Sequence, residues 1–160
     1  MTAKQMRTLL DDIGKFEADF GCGYGGEKLD AEMRRIYREQ IPLVERAGER
    51  YPWNTFWMIL LKEGPTAIGS AGFKSLPDHA GKSEISYGLG PGYWNRGYAT
   101  EAVKAQSQWA FSSGAIWRIV AEVERWNAAS KKVLAKNGYR YFETVGSCDW
   151  YELTRVESGL

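Results

Sequence analysis

Apolar residues recur three or four positions apart in four stretches of the chain, and this spacing predicts amphipathic helices. The stretches are 4–20, 29–47, 98–112 and 127–137. The second stretch contains Pro42, which is expected to bend or interrupt the helix. A glycine cluster, 21–26, ends the first helix, and Gly138 is suited to the C-terminal cap of the last one.

Short runs rich in apolar, aromatic and β-branched residues predict strands in six further places. They are 55–61, 66–73, 83–89, 116–123, 139–145 and 148–153. The turn 62–65 joins the first two strands in a hairpin. The order of the elements predicts an α/β fold, with a single mixed, mostly antiparallel twisted sheet flanked by helices. Because no repeat or change of composition divides the chain, we expect one domain over residues 1–160.

The composition argues against a nucleic-acid-binding protein and against a membrane protein. The chain has 44% hydrophobic and 26% charged residues, and its formal net charge is +1. Proteins that bind nucleic acid usually have a strong basic excess, so we expect no nucleic-acid partner. The longest apolar run, Phe56–Leu61, is too short to span a bilayer, and the N-terminal residues do not form a signal sequence. We therefore expect a soluble, cytoplasmic protein with no membrane partner.

Few residues are available to bind a metal. Cys22 and Cys148 lie far apart in the sequence, and His79 is the single histidine. Two thiols and one imidazole do not make an ordinary closed zinc site without carboxylates. We therefore expect two free thiols, an exposed His79 in its Pro-Asp-His-Ala-Gly turn, and no metal.

The glycine cluster 21–26 spells G-x-G-x-x-G, the fingerprint of dinucleotide-binding proteins. That fingerprint requires a preceding strand, whereas residues 15–20 continue a helical pattern. We interpret the cluster as a flexible loop, and a position beside a substrate cleft stays open as its role.

The most informative segment is the strand, turn and helix over residues 84–102. The first N–H groups of the helix lack partners within it and lie at the positive end of the helix dipole. Gly97 and Ala99 leave room for a pyrophosphate to approach the backbone, while Thr100 adds a hydroxyl donor and Arg96 a positive charge. The alternative is an ordinary strand-to-helix turn that contains glycines for its geometry.

Two blocks carry a family resemblance. Trp94-Asn95-Arg96-Gly97-Tyr98-Ala99 resembles the Q/R-x-x-G-x-G/A signature of the GNAT superfamily of acyl-coenzyme A N-acyltransferases, except at Trp94. Asn127-Ala128-Ala129-Ser130, followed by Lys136-Asn137-Gly138-Tyr139, is similar to the N-x-x-S and K-x-G-F/Y pattern of the ribosomal-protein alanine and serine N-acetyltransferase branch. The resemblance runs from about Thr55 to Leu153. Members usually open with a strand before their first helix, whereas the helical pattern here begins at Lys4.

The resemblance implies an N-acetyltransferase that moves an acetyl group directly from acetyl-coenzyme A (acetyl-CoA), its cosubstrate, to a primary amine. The implied sheet has splayed central strands. The backbone of Tyr87, Gly88 and Leu89 would hold the pantetheine arm. The remaining cofactor-binding residues would be the backbone amides of Arg96, Gly97, Tyr98, Ala99 and Thr100 for the pyrophosphate, and Asn127 and Ser130 for the pantetheine end.

Direct transfer needs an uncharged amine, because an ammonium has no lone pair with which to attack the thioester. Glu84 is our candidate for the base, acting directly or through a water; a solvated strand-end carboxylate is the alternative. Where the superfamily often has a tyrosine acid, four residues after Ser130, this chain has Leu134. Ser130 or a water is therefore the candidate for protonating the thiolate. We interpret Lys131 and Lys132 as a solvated helix face rather than as phosphate ligands.

Several alternatives stay open. The acceptor is either a small molecule or a protein N-terminus, and a homodimer is compatible with the sequence. A non-catalytic acyl-CoA-binding module would carry the same cofactor motifs; the missing tyrosine favours such a module, while Glu84, Asn127 and Ser130 favour the enzyme. The seven tryptophans and nine tyrosines either fill the core and the edge strands or, in part, form a cage around a substrate.

Overall fold

The computed structural model describes residues 1–156 and 158 of the chain. Its α-helices are α1 (Ala3–Asp11), α2 (Ile13–Phe20), α3 (Ala31–Arg46), α4 (Tyr98–Ser112) and α5 (Ala128–Lys136). Two 3₁₀ helices cover Gly48–Trp53 and Pro91–Tyr93. The strands are β1 (Gly23–Tyr24), β2 (Phe56–Leu60), β3 (Thr66–Phe73), β4 (Lys82–Leu89), β5 (Arg118–Glu124), β6 (Arg140–Val145) and β7 (Cys148–Thr154).

The strands form a mixed sheet in the order β1-β3-β4-β5-β7-β6, and β2 pairs with β3 outside this path. β1 runs parallel to β3 and β4 runs parallel to β5. The β2–β3, β5–β7 and β6–β7 pairs are antiparallel. The predicted α/β fold with one mixed sheet flanked by helices is therefore confirmed.

The chain divides into two compact units. The first consists of Met1–Gly72 and Tyr87–Arg96, and the second of Phe73–Ser86 and the described residues from Gly97 onward. β3 and β4 each contribute residues to both units.

Helices α1, α2 and α3 supply the core of the first unit. Its buried side chains include Met6, Leu9, Leu10, Phe16, Tyr37, Ile41 and Val44. The helix predicted over 4–20 is in fact two helices, because Asp12 is extended (φ −152°) and its side chain accepts the N–H of Lys15 to cap α2. A break of one residue preserves the apolar spacing, so periodicity alone did not reveal it. Pro42 lies inside α3 without ending it.

The glycine cluster contains a short strand that the sequence did not predict. Gly23 and Tyr24 form β1, which pairs with Thr66 and Ala67 of β3. The N–H of Gly25 continues this contact by donating to the carbonyl of Ala67 at 2.8 Å. A strand of two residues is too short to leave an alternating pattern, and so the segment resembled a loop.

The second unit is built around β5. This strand pairs with β7 along its whole length, from Arg118 opposite Thr154 to Glu124 opposite Cys148. Its core includes Val103, Ala110, Phe111, Ile119, Ala121, Val123, Leu134 and Leu153. The buried hydroxyl oxygens of Ser107 and Tyr139 lie 2.9 Å apart, which satisfies both polar groups.

Candidate functional site

The N-terminus of α4 differs from those of the other helices. The helices α1, α2, α3 and α5 each have a side chain that accepts one of their first N–H groups; the caps are Thr2, Asp12, Asp30 and Asn127. The N-cap of α4 is Gly97, in the left-handed conformation (φ 87°), with no side-chain cap. A Cβ atom on Gly97 would meet no heavy atom within 4 Å. The first N–H groups of α4 therefore lie at an open, positive helix end, which suits an anion.

The residues that precede this helix end belong to the first unit. The indole N–H of Trp94 donates to the carbonyl of Leu89 at 2.8 Å and so closes the turn that leaves β4. Asn95 follows in the left-handed region (φ 60°), which is uncommon for a residue other than glycine. Arg96 is exposed. At the position where the signature has Gln or Arg, Trp94 thus donates a hydrogen bond within the turn.

Asn137 is a residue of the second unit that the sequence did not single out. Its side-chain amide donates to the carbonyl of Val133 in α5 at 2.9 Å and to the carbonyl of Thr100 in the first turn of α4 at 3.2 Å. One side chain thus ties the end of α5 to the start of α4. The only signal in the sequence was an amide side chain within the Lys-Asn-Gly block.

The predicted cofactor residues on α5 have structural partners of their own. Asn127 Oδ1 accepts the backbone N–H of Ser130 at 3.0 Å and so caps the helix.

Two further positions on α5 bear on the predicted chemistry. Leu134 is fully buried in the core, so this position supplies no proton. Lys131 donates to Asp149 at 2.5 Å and to the carbonyl of Arg125 at 2.8 Å. Its charge is therefore paired, which differs from the solvated helix face that we expected.

Glu84, the predicted base, lies in the second unit beside a cation. Its side chain is 19% exposed and forms an ion pair with Lys74, whose ammonium also lies 3.4 Å from Glu122. Burial alone would lower the pKa of Lys74, but the hydrogen bond and the charge of Glu84, together with Glu122, raise it above its ordinary value. The ion pair is a feature that the sequence did not predict.

Strand β4 pairs with β5 over its first three residues. The ladder between the two strands pairs Lys82 with Arg118, Ser83 with Ile119 and Glu84 with Val120. The segment 85–89 of β4 lies beyond this ladder, and it includes the positions 87–89 predicted to hold the pantetheine arm.

The end of β4 lies close to the segment 25–27 within the first unit. A Cβ on Gly88 would lie 2.1 Å from Oε1 and 2.5 Å from Oε2 of Glu27. A Cβ on Gly90 would lie 2.0 Å from the carbonyl oxygen of Gly25. Gly90 requires glycine because backbone atoms occupy the space of a side chain there, whereas at Gly88 that space is taken by the carboxylate of Glu27. Glu27 was not predicted as a site residue, because its only signal in the sequence is its place next to the glycine cluster.

The structure also places the residues that could bind a metal. In the part of the chain that the structure describes, no group of three or more His, Cys, Asp and Glu side chains is arranged to hold a metal ion. Neither Cys22 nor Cys148 is in a disulfide, and His79 is exposed, as expected. None of the described helices has the length and hydropathy needed to cross a membrane.

A family model described as an acetyltransferase (GNAT) domain matches residues 11–140. Among curated proteins, an uncharacterized N-acetyltransferase, p20, of Bacillus licheniformis is 40% identical over 97 residues, which are 61% of this chain and 54% of the relative. The chain spans about half the length of the curated relatives that it matches.

Two solved structures are similar over most of the chain. The ribosomal-protein-S5-alanine acetyltransferase of Vibrio fischeri has a TM-score of 0.67 at 14% identity, over 96% of this chain and 90% of that one. The structure of AAC(6')-Ib in complex with ribostamycin and coenzyme A has a TM-score of 0.68 at 17% identity, over 98% of this chain and 92% of that one. At these identities the likeness shows the fold alone.

Proposed function

Because the chain belongs to the GNAT acetyltransferase domain family, as its two motif blocks predicted, we propose that it is an acyl-CoA-dependent N-acetyltransferase. It transfers the acetyl group from acetyl-CoA directly to a primary amine of a small molecule or of a protein N-terminus. The name of the relative p20, an N-acetyltransferase, supports the reaction, and the coenzyme A bound in AAC(6')-Ib supports the cosubstrate.

The observation that carries this proposal is the open N-terminus of α4. Every other described α-helix satisfies one of its first N–H groups with its own side chain, whereas α4 leaves these donors to a ligand. A pyrophosphate fits this end chemically, since it brings negative charge and many acceptor oxygens. The amides of residues 97–100 would hold it, with the charge of Arg96 beside them in the chain.

The pantetheine would be held by the backbone of residues 87–89, with Asn127 and Ser130 near its end. Acetyl-CoA supplies an acyl group that is activated as a thioester. On the protein side, Glu84 would take a proton from the amine, directly or through a water. Ser130 or a water would return a proton to the sulfur, because Leu134 is apolar and buried.

The proposal also includes the extent of the domain, the cellular location and the oligomeric state. We take residues 1–160 as one acetyltransferase domain, and the family match over 11–140 supports this because it includes residues of both units. A cytoplasmic location accords with cysteines that are not in disulfides. A homodimer remains compatible with the proposal, which assigns no residue to a second copy.

The test of the cofactor site compares two glycines at opposite ends of α4. Gly97 and Gly114 both have positive φ, 87° and 73°, and at both a Cβ would meet no atom within 4 Å. The variants Gly97→Leu and Gly114→Leu therefore suffer a similar backbone strain of roughly 1–2 kcal/mol. We expect calorimetry to show acetyl-CoA affinity reduced at least about tenfold in Gly97→Leu and unchanged in Gly114→Leu.

Equal affinity of the two variants would remove α4 from the cofactor site. The alternative of a non-catalytic acyl-CoA-binding module is tested separately, by the release of coenzyme A thiol in the presence of a panel of primary amines. Release at the hydrolysis background with every amine would favour the binding module. Mass spectrometry of the products would identify the acceptor.

A further inference from the structure

We infer that Glu27 binds the ammonium group of the acceptor, so that the preferred acceptors are amines that arrive as cations. This inference rests on the proposed acetyl transfer and assigns the amine-recognising carboxylate within it. It arises from the first unit alone, where Glu27, Gly88 and two tyrosines meet.

The position of the Glu27 carboxylate is the first argument. Both carboxylate oxygens lie where a side chain on Gly88 would have to be, at 2.1 and 2.5 Å from a Cβ built there. Gly88 is the middle residue of the backbone segment assigned to the pantetheine arm. A carboxylate against that residue is well placed to hold an amine next to the acyl group.

The way in which Glu27 is held is the second argument. The hydroxyl of Tyr24 donates to the backbone carbonyl of Glu27 at 2.9 Å, and the N–H of Gly25 donates to Ala67 at 2.8 Å. These bonds fix the backbone of the segment and leave the carboxylate itself available. Burial raises the pKa of Tyr24 to about 12, so its hydroxyl stays a donor throughout the neutral range.

The lack of a counter-ion is the third argument. None of the ion pairs among the described residues involves Glu27, although its side chain is half-buried. Burial raises the pKa of the Glu27 carboxyl, and the negative charge of Asp30 raises it further. A half-buried carboxylate beside a like charge and without a cation destabilises the fold, and such groups are concentrated at functional sites.

Two aromatic rings complete the surroundings. The ring of Tyr24 lies 3.0 Å from a Cβ built on Gly26, and the hydroxyl of Tyr93 lies 2.7 Å from a Cβ built on Gly25. Aromatic faces attract ammonium groups, as carboxylates do. Two aromatic side chains therefore lie against the residues that precede Glu27 in the chain, and rings beside a carboxylate favour an organic cation over a neutral molecule.

The test uses phenethylammonium as the cationic probe and 2-phenylethanol as its neutral counterpart of similar shape. Binding of each is followed by NMR titration of the wild-type protein, of Glu27→Gln and of the control Glu17→Gln. Glu17 is also half-buried, but its Oε1 accepts the backbone N–H of Tyr24, and a glutamine oxygen can do the same. The control thus removes a nearby negative charge while it keeps the local structure.

We expect the affinity for phenethylammonium to fall about tenfold or more in Glu27→Gln, as for the loss of a hydrogen bond to a charged group. Glu17→Gln should bind it like the wild type, and Glu27→Asp, which keeps the charge, should retain part of the affinity. The weak binding of 2-phenylethanol should be the same in all the proteins. Equal binding of phenethylammonium by the wild type and Glu27→Gln, or no binding by either, would overturn the inference.

Calorimetry with acetyl-CoA separates this inference from the proposed function. If acetyl-CoA binds all the variants alike while phenethylammonium does not distinguish them, the role of Glu27 is wrong and the acetyltransferase proposal stands. If acetyl-CoA binds none of them, including the wild type, the proposed function itself is wrong.

Discussion

Glu84 in the second unit and Glu27 in the first are both partly buried carboxylates on or against β4, yet their surroundings are opposite. Glu84 forms an ion pair with Lys74, whereas Glu27 has no cation and lies beside the like charge of Asp30. A paired carboxylate stabilises the structure around it, whereas a half-buried carboxylate without a cation destabilises the fold. The comparison teaches that packing can give two chemically identical groups opposite electrostatic surroundings.

The largest effect is expected when Glu84 is changed. A general base contributes about a hundredfold to ten-thousandfold in rate, so Glu84→Gln should lower turnover roughly a hundredfold or more near neutral pH. Raising the pH should restore part of the rate, since more of the amine is then already uncharged. Steady-state kinetics at several pH values measure the loss of turnover, and calorimetry checks that the variant still binds acetyl-CoA. Native turnover across the pH range would show that Glu84 serves only its ion pair.

Relative to the wild type, the stability of Glu27→Gln and that of Glu84→Gln should change in opposite directions. The folded-state pKa of Glu27 is raised, so its ionisation destabilises the fold; this cost is fully present above the folded pKa and absent below the unfolded one. Glu27→Gln should therefore melt at a higher temperature than the wild type near neutral pH. That gain should vanish as the pH falls below the ordinary pKa of glutamate.

Glu84→Gln should instead melt slightly lower near neutral pH, because it loses the pair with the half-exposed Lys74, worth at most about 1 kcal/mol. Scanning calorimetry at several pH values measures both variants under the same conditions, with Glu17→Gln as the reference for a carboxylate that only caps a backbone group. A Glu27→Gln protein that melts below the wild type at neutral pH would mean that Glu27 supports the fold, and the contrast between the two carboxylates would be lost.

The smallest effect concerns how the second unit positions its helix end. Asn137→Ala removes two hydrogen bonds, one of them to the carbonyl of Thr100. We expect Asn137→Ala to weaken acetyl-CoA binding by about 1 kcal/mol, which is about fivefold in affinity, as measured by calorimetry. Asn137→Asp is the matched variant, since it keeps the size and loses the donors. Affinity equal to the wild type in both variants would mean that the start of α4 needs no such tie.

The fold and the helix end could be predicted from the sequence because their signals are local. Helical and alternating spacings located α3, α4, α5 and all strands except β1, and the glycine signature located the N-terminus of α4. The break at Asp12 and the two residues of β1 escaped, since neither changes a periodic pattern.

The candidate site was less predictable, because it depends on contacts between distant parts of the chain. Glu27 and Gly88 are far apart in the sequence, and nothing in either neighbourhood indicates that they meet. The partner of Glu84 was equally hidden, since Lys74 is one of many surface cations until the strands are paired. The sequence shows which residues carry a charge, but the tertiary packing determines which of those charges are paired.

Under the proposed function, the open N-terminus of α4 makes the stability of the folded chain depend on the concentration of acetyl-CoA. A helix end that lacks its own cap is completed by a ligand that binds only the folded chain, and such binding adds about 2.7 kcal/mol of stability at a ligand concentration one hundred times Kd. Under the proposed function, the protein is therefore most resistant to unfolding and proteolysis when acetyl-CoA is plentiful.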